Sequence, residues 1–283
     1  MKFYILDCFA EAKYQGNPLA VLIPDRPVSD GEMLQIAKEM GFSETAFILS
    51  GKQDNGGYDV RIFTPDVEVP FAGHPSLGTA WIIRNELEGG KTARVLLNLR
   101  AGQIPVAVSA QGMTMTQNQP VFGAALPREM LAAILCLEPE DIREDYPVEI
   151  VSTGLEAVIV PLRSRDALAR CRVDHLRFQR MIDEVRKCNI LAFFDDGGLI
   201  RARLFMDDPG FLEDPATGSA NGNLAGYFLC HDYFGSSEIE YQVSQGVEMG
   251  RPSTLYVRAE KHAERYTIQV GGRAFVVAEG EWR

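Results

Sequence analysis

Apolar and polar residues alternate in short runs along most of this chain, and the runs predict strands. In the first part these are Phe3–Phe9, Leu19–Ile23, Glu44–Leu49 and Tyr58–Thr64, then Ala93–Leu99, Gln103–Ala110 and Met113–Gln117. The second part offers Val148–Thr153, Glu156–Pro161, Ile190–Asp195 and Arg201–Met206. It continues with strands near Glu240–Val243, Thr254–Glu260, Tyr266–Val270 and Ala274–Gly280. Helical spacing is rarer. Met33, Leu34, Ile36, Ala37 and Met40 mark a helix over Gly31–Met40, with Ser29 or Asp30 as its cap, and His175–Lys187 reads as another. Two more helices are rich in small residues: one starts near Pro75, the other near Gly218–Ser219. In the latter, Leu224, Tyr227 and Phe228 have helical spacing, and Gly222 and Gly226 would be costly in an isolated helix. They predict a helix packed closely on every side.

The order of elements repeats. Arg61-Ile62-Phe63-Thr64-Pro65-Asp66 resembles Arg203-Leu204-Phe205-Met206-Asp207-Asp208. Downstream of each lies a glycine at a helix start: Ala72-Gly73-His74-Pro75 in the first half, Thr217-Gly218-Ser219-Ala220 in the second. Leu77, Ala80 and Trp81 mirror Leu224, Tyr227 and Phe228. One unit repeated at half the chain length implies two similar domains. The expectation is an α+β protein of two pseudo-symmetric domains, each a curved mixed sheet wrapped around a central helix. The first domain is expected over 1–118, with the last strand, 274–283, as its candidate addition, and the second over 126–273. The linker falls near Gln117–Ala125, and the active-site cleft is expected between the domains, with both central helices aiming their N-termini at it.

Composition narrows the function. With 46% hydrophobic residues the 283-residue chain can bury a core, and its formal charge of −11 argues against nucleic acid or an anionic membrane as partner. The cysteines Cys8, Cys136, Cys171, Cys188 and Cys230 are scattered, as expected of buried thiols in a reducing compartment. The four histidines, 74, 175, 231 and 262, show no metal-ligand spacing, so no metal is expected. No signal-peptide plan and no apolar run long enough to span a bilayer are present, so the expectation is a soluble cytoplasmic protein.

Candidate chemistry lies where the halves differ. Aligning Ser43-Glu44-Thr45-Ala46-Phe47 with Asn189-Ile190-Leu191-Ala192-Phe193 sets Glu44 against Ile190. Either Glu44 sits in the first turn of a helix capped by Ser43, or it is a functional carboxylate; the repeat favours the second. His74 stands opposite Ser219 at a helix start, as a cap or as a functional group, and its place beside Gly73 favours function. Asp214, held extended by Pro215, is either a helix cap or a site residue and is taken as the latter, with Glu213 expected to be solvated. His175, His231 and His262 are expected to be surface or capping residues. The turn-rich loop Gln245–Pro252 either closes on the cleft or is structural, and as a loop it is expected to be structural.

These stretches resemble a known family. Gly16-Asn17-Pro18-Leu19-Ala20-Val21, Ser43-Glu44-Thr45-Ala46-Phe47, Ala72-Gly73-His74-Pro75-Ser76-Leu77-Gly78-Thr79-Ala80 and Glu213-Asp214-Pro215-Ala216-Thr217-Gly218-Ser219-Ala220-Asn221-Gly222 are similar to motifs of the PhzF-like phenazine-biosynthesis family, as are Gln245-Gly246 and Arg251-Pro252. The resemblance implies the diaminopimelate-epimerase-like fold. Epimerases of that fold start each central helix with a cysteine; here those positions hold His74 and Ser219, against two-cysteine epimerisation. The resemblance implies a cofactor-independent isomerase: the characterised family member shifts a proton and a double bond in a hydroxylated dihydroanthranilate without cofactor or metal. Carried over, Glu44 is the acid/base, with His74, Asp214 and Ser219 around a small carboxylate-bearing substrate and Gly73 and Gly218 supplying backbone donors. Such members are often dimers, so a homodimer stands as an expectation. The competing readings are a racemase or epimerase of an amino or hydroxy acid, and a non-catalytic small-molecule-binding protein.

Overall fold

The computed structural model describes residues 1–208 and 210–283. The chain divides into two compact units, Met1–Thr116 with Gly271–Arg283, and Gln117–Val270. In the first, β1 (Lys2–Cys8) pairs antiparallel with β2 (Asn17–Ile23). A crossover helix, α1 (Asp30–Met40), brings β3 (Thr45–Ile48) back parallel to β2, as a parallel pair requires. Ser29 caps α1 by accepting from the Glu32 amide, and the helix ends at Gly41 in a left-handed turn. Its Met33, Ile36 and Ala37 are buried with Leu22, Phe47 and Phe63. β4 (Gly57–Phe63) is antiparallel to β3, and the two-residue β5 (Glu68–Val69) folds back on its end.

The helix α2 (Gly73–Ile82) follows. After it, β6 (Arg94–Leu99) runs parallel to β4, and β7 (Gly102–Val108) and β8 (Met113–Thr116) continue as an antiparallel meander. α2 is buried over nearly its whole length, packed against β1, β2, β7 and β8.

The second unit repeats this pairing. β9 (Val121–Ala125) leads through the short α3 (Arg128–Ile134) to β10 (Glu149–Ser152) and β11 (Glu156–Pro161). Next come α4 (Arg165–Arg170), α5 (His175–Glu184), β12 (Asn189–Asp196), β13 (Leu199–Phe205) and the two-residue β14 (Glu213–Asp214). α6 (Gly218–Cys230), β15 (Glu238–Gln245), β16 (Ser253–His262) and β17 (Arg265–Gly272) complete it, and β18 (Ala274–Glu281) returns to the first unit. β9, β10 and β11 are antiparallel neighbours, β12 runs parallel to β11, and β13 is antiparallel to β12. β14 folds back on β13, and β15 runs parallel to it. That order of parallel and antiparallel steps is the one β18, β1, β2, β3, β4, β5 and β6 follow in the first unit. Each unit is thus a mixed sheet around one buried helix.

The close packing expected of α6 is present. A side chain at Gly222 would come within 2.8 Å of Gln117, and one at Gly226 within 2.8 Å of Pro120. The stretch expected as linker therefore does more than connect: Gln117 and Pro120 lie on α6, and Val121–Ala125 pairs with β10. Five elements escape the hydrophobic pattern: β5, β14, β9, α3 and α4. Two-residue strands have no period, and the two helices are too short for a clear apolar stripe. All five cysteines are free, and no helix among the described residues is long and apolar enough to cross a membrane.

Candidate active site

The strand register corrects one equivalence between the halves. Thr45 lies opposite Phe63, and Ile190 lies opposite Phe205. Because Arg61-Ile62-Phe63 and Arg203-Leu204-Phe205 are equivalent, Ile190 corresponds to Thr45, and Glu44 corresponds to Asn189. Glu44 therefore does not replace an apolar residue; both units have a polar residue there. Nor is it in a helix: it directly precedes β3. What singles it out is its own setting. Its side chain is 21% exposed, and burial pushes its carboxyl above the usual 4.5.

Glu44 and His74 come together in the first unit, with Glu44 Oε2 3.6 Å from His74 Nε2. His74 is the second residue of α2, next to Gly73, and is buried. Its other ring nitrogen, Nδ1, lies 3.3 Å from Asn17 Nδ2. An amide nitrogen only donates, so with the Asn17 carboxamide in this orientation Nδ1 accepts and a neutral ring carries its proton on Nε2, the side of Glu44. Asn17 is brought there by Gly16, whose φ of +70° and 2.2 Å clearance to the Cys8 carbonyl exclude any side chain. Asn17 has no part in the sequence-based site; its signal there is its place in the family-like stretch Gly16-Asn17-Pro18.

The second unit places Asp214, Gly218 and Ser219 together around the start of α6. Asp214 is buried at the end of β14, Gly218 is the first residue of α6 and Ser219 the next. Asp214 accepts a short hydrogen bond from the Thr217 hydroxyl. Thr217 is the N-cap residue of α6 but makes no side-chain cap, its hydroxyl donating to Asp214 and accepting from Gln245 Nε2; Ala72, the N-cap residue of α2, has no polar side chain to offer. By contrast, α1, α4 and α5 are capped by Ser29, Ser164 and Asp174. Neither central helix is closed by a side chain at its N-cap.

Contrary to the expectation from sequence, Glu213 is not solvated but pairs with Arg203 through two bonds, Nε–Oε1 at 2.8 Å and Nη2–Oε2 at 2.7 Å. Its counterpart Glu68 does the same with Arg61 at 2.8 and 2.6 Å. The two glutamates fix the strand ends from which the helices spring, which separates Glu213, structural in both halves, from Asp214, whose counterpart is Val69. Of the remaining histidines, His231 ends α6 and pairs with the buried Glu149, His175 begins α5, and His262 is exposed beside Glu260. Among the described residues, no three His, Cys, Asp or Glu side chains are grouped to hold a metal ion.

The chain matches the family model for phenazine biosynthesis-like proteins over residues 6–280. It is 36% identical over 99% of its length to a trans-2,3-dihydro-3-hydroxyanthranilate isomerase of Pseudomonas aeruginosa, of which 98% is covered. An uncharacterized isomerase of Clostridium acetobutylicum is 34% identical, with 98% of this chain and 96% of that protein aligned. A crystal structure of a PhzF-family phenazine biosynthesis protein of Bacillus anthracis superposes with a TM-score of 0.89 at 27% identity, covering 100% of this chain and 99% of that one. A hydroxyproline epimerase of Agrobacterium vitis shares the fold, with a TM-score of 0.60 at 14% identity over 99% of this chain and 91% of its own. From the two repeated units to the motifs at the helix starts, sequence and architecture agree: this chain belongs to the PhzF-like family of isomerases.

Proposed function

We propose that this enzyme moves a proton within a small carboxylate-bearing metabolite without a cofactor, with trans-2,3-dihydro-3-hydroxyanthranilate as the first candidate substrate. The observation that carries the reading is the Glu44 carboxyl, largely withdrawn from water, beside the buried His74. Ionised, Glu44 takes a proton from an activated carbon; protonated, it delivers that proton to another carbon of the same face, shifting the double bond. A carboxyl with a raised pKa suits both steps better than an ordinary one. His74, donating from Nε2, orients the substrate or Glu44. In this reading Asp214 and Ser219 also contact the substrate. Backbone amides at Gly73 and Gly218, at the starts of the two central helices, receive its carboxylate or the charge that develops during proton removal. Ser219, at the position equivalent to His74, is no base at neutral pH, which disfavours a two-base racemase.

The test is turnover of trans-2,3-dihydro-3-hydroxyanthranilate, followed by the loss of its diene absorbance and by NMR of the product. Failure of this compound and of its close carboxylate analogues would remove the reading.

The direction of the Glu44 shift yields a pH prediction. The base must be ionised in the free enzyme, so kcat/KM is expected to rise with pH through an acid limb lying above 4.5, the usual carboxylate value. Stability moves the opposite way. The folded state holds the Glu44 proton more tightly than the unfolded chain does, so this group's contribution declines as pH rises from the unfolded value through the raised folded one. Glu44→Gln is expected to flatten that decline, as read from melting temperature against pH for both proteins; parallel curves would show that Glu44 is not desolvated.

A further inference from the structure

In the second unit, four polar residues stand where the first has less polar ones. Asp214 corresponds to Val69, Thr217 to Ala72 and Asn221 to Ser76, counting from the equivalent Glu213 and Glu68. The parallel pairings Asp59–Asn98 and Arg201–Ser244 make Gln245 the counterpart of Leu99. Gln245 is fully buried, at the end of β15. Its Nε2 donates to the Asp214 carbonyl at 2.8 Å and to the Thr217 hydroxyl oxygen at 3.1 Å. Its Oε1 accepts from Asn221 Nδ2 at 2.9 Å and from the Thr217 amide at 3.4 Å. These partners determine how the carboxamide points. Turned over, it would set oxygen against the Asp214 carbonyl and nitrogen against two donors.

We propose that Gln245 is a positioning residue for the reaction: by donating to the Thr217 hydroxyl oxygen, it turns that hydroxyl's proton onto Asp214. The Thr217 hydroxyl has one proton, and with its oxygen taken by Gln245 that proton goes to the Asp214 carboxylate. Asp214 is thereby given a fixed donor and one rotamer, and Thr217 makes no cap for α6. The residue after Gln245 serves the same end. Gly246 has φ of +74°, and a side chain there would come within 2.7 Å of the Pro215 carbonyl and 2.5 Å of that of Arg251. Gln245-Gly246 therefore closes directly over Asp214-Pro215. The loop that reads from sequence as merely structural carries the group that orients the aspartate.

The inference rests on the proposal that Asp214 belongs to the site, and the test separates the two. The carboxyl resonance of Asp214 is followed by NMR in protein labelled with 13C-aspartate, assigned by its loss in Asp214→Asn. In Gln245→Met, which keeps the length but not the donors, the Asp214 titration midpoint is expected to rise by about one unit. There kcat is expected to fall roughly 10–100-fold with KM nearly unchanged. Thr217→Val is expected to do the same and Thr217→Ser to restore both, so the result stands even if the Gln245 variant folds poorly. An Asp214 resonance that titrates identically in folded Gln245→Met and wild type overturns the inference. Normal turnover by Asp214→Asn overturns instead the reading of the site on which it rests.

Discussion

Glu44→Gln is expected to lower kcat by about 10²–10⁴-fold, the usual contribution of a general acid–base group, while the protein stays folded. The substitution is nearly isosteric and removes a carboxyl whose charged form desolvation already disfavours, so stability at neutral pH should hold or improve. Substrate affinity should change little, because a carboxylate that removes a proton acts in the transition state and not in binding. Steady-state kinetics together with a melting curve read both effects. Activity within a few-fold of wild type would transfer the proton to some other group.

The second large effect concerns the scaffold. Arg203 is only 5% exposed, forms the two-bond pair with Glu213, and donates through Nη1 to the Leu168 and Cys171 carbonyls, both at 3.1 Å, at the end of α4. Arg203→Leu leaves Glu213 without that partner and two carbonyls without that donor. The expected loss is about 3–5 kcal/mol, the cost typical of breaking a buried pair from one side. That corresponds to a melting temperature lower by about 6–20 °C. Replacing Glu213 as well should recover part of the loss, since the uncompensated charge is then gone. The equivalent Arg61→Leu should cost less, because the Arg61 side chain is 23% exposed and water can reach the vacated site. Denaturant titration of the two single variants and the double variant measures these differences; equal losses for Arg61 and Arg203 would contradict the burial argument.

The repeat was legible because its markers are local. The arginine–phenylalanine strands, the glycine-led helix starts and the alternating runs each occupy a few consecutive residues, so comparing one half with the other exposed the duplicated architecture. Register was less legible. Ala46-Phe47 and Ala192-Phe193 look equivalent, yet pairing places Ala46 opposite Ile62 and Leu191 opposite Leu204, one step away from the alignment that similarity suggests. Backbone pairing sets the register of a strand, and a one-residue slip reverses every side chain, so a two-residue likeness is weak evidence. The likeness that sets Glu44 against Ile190 is therefore off by one residue, while the place of Glu44 beside His74 supports the same residue. The supporting polar groups were hidden by distance along the chain. Asn17 meets His74 across 57 positions, and Gln245 meets Asn221 across 24, contacts that no spacing rule anticipates.

The most direct test is to incubate the proposed dihydroanthranilate substrate with enzyme in D₂O and follow the proton spectrum, for the wild type and for Glu44→Gln. Proton transfer by Glu44 predicts a product with a shifted double bond from the wild type, and neither shift nor hydrogen exchange from the variant. An unshifted double bond with the wild type, or the same product formed equally fast by the variant, would contradict it.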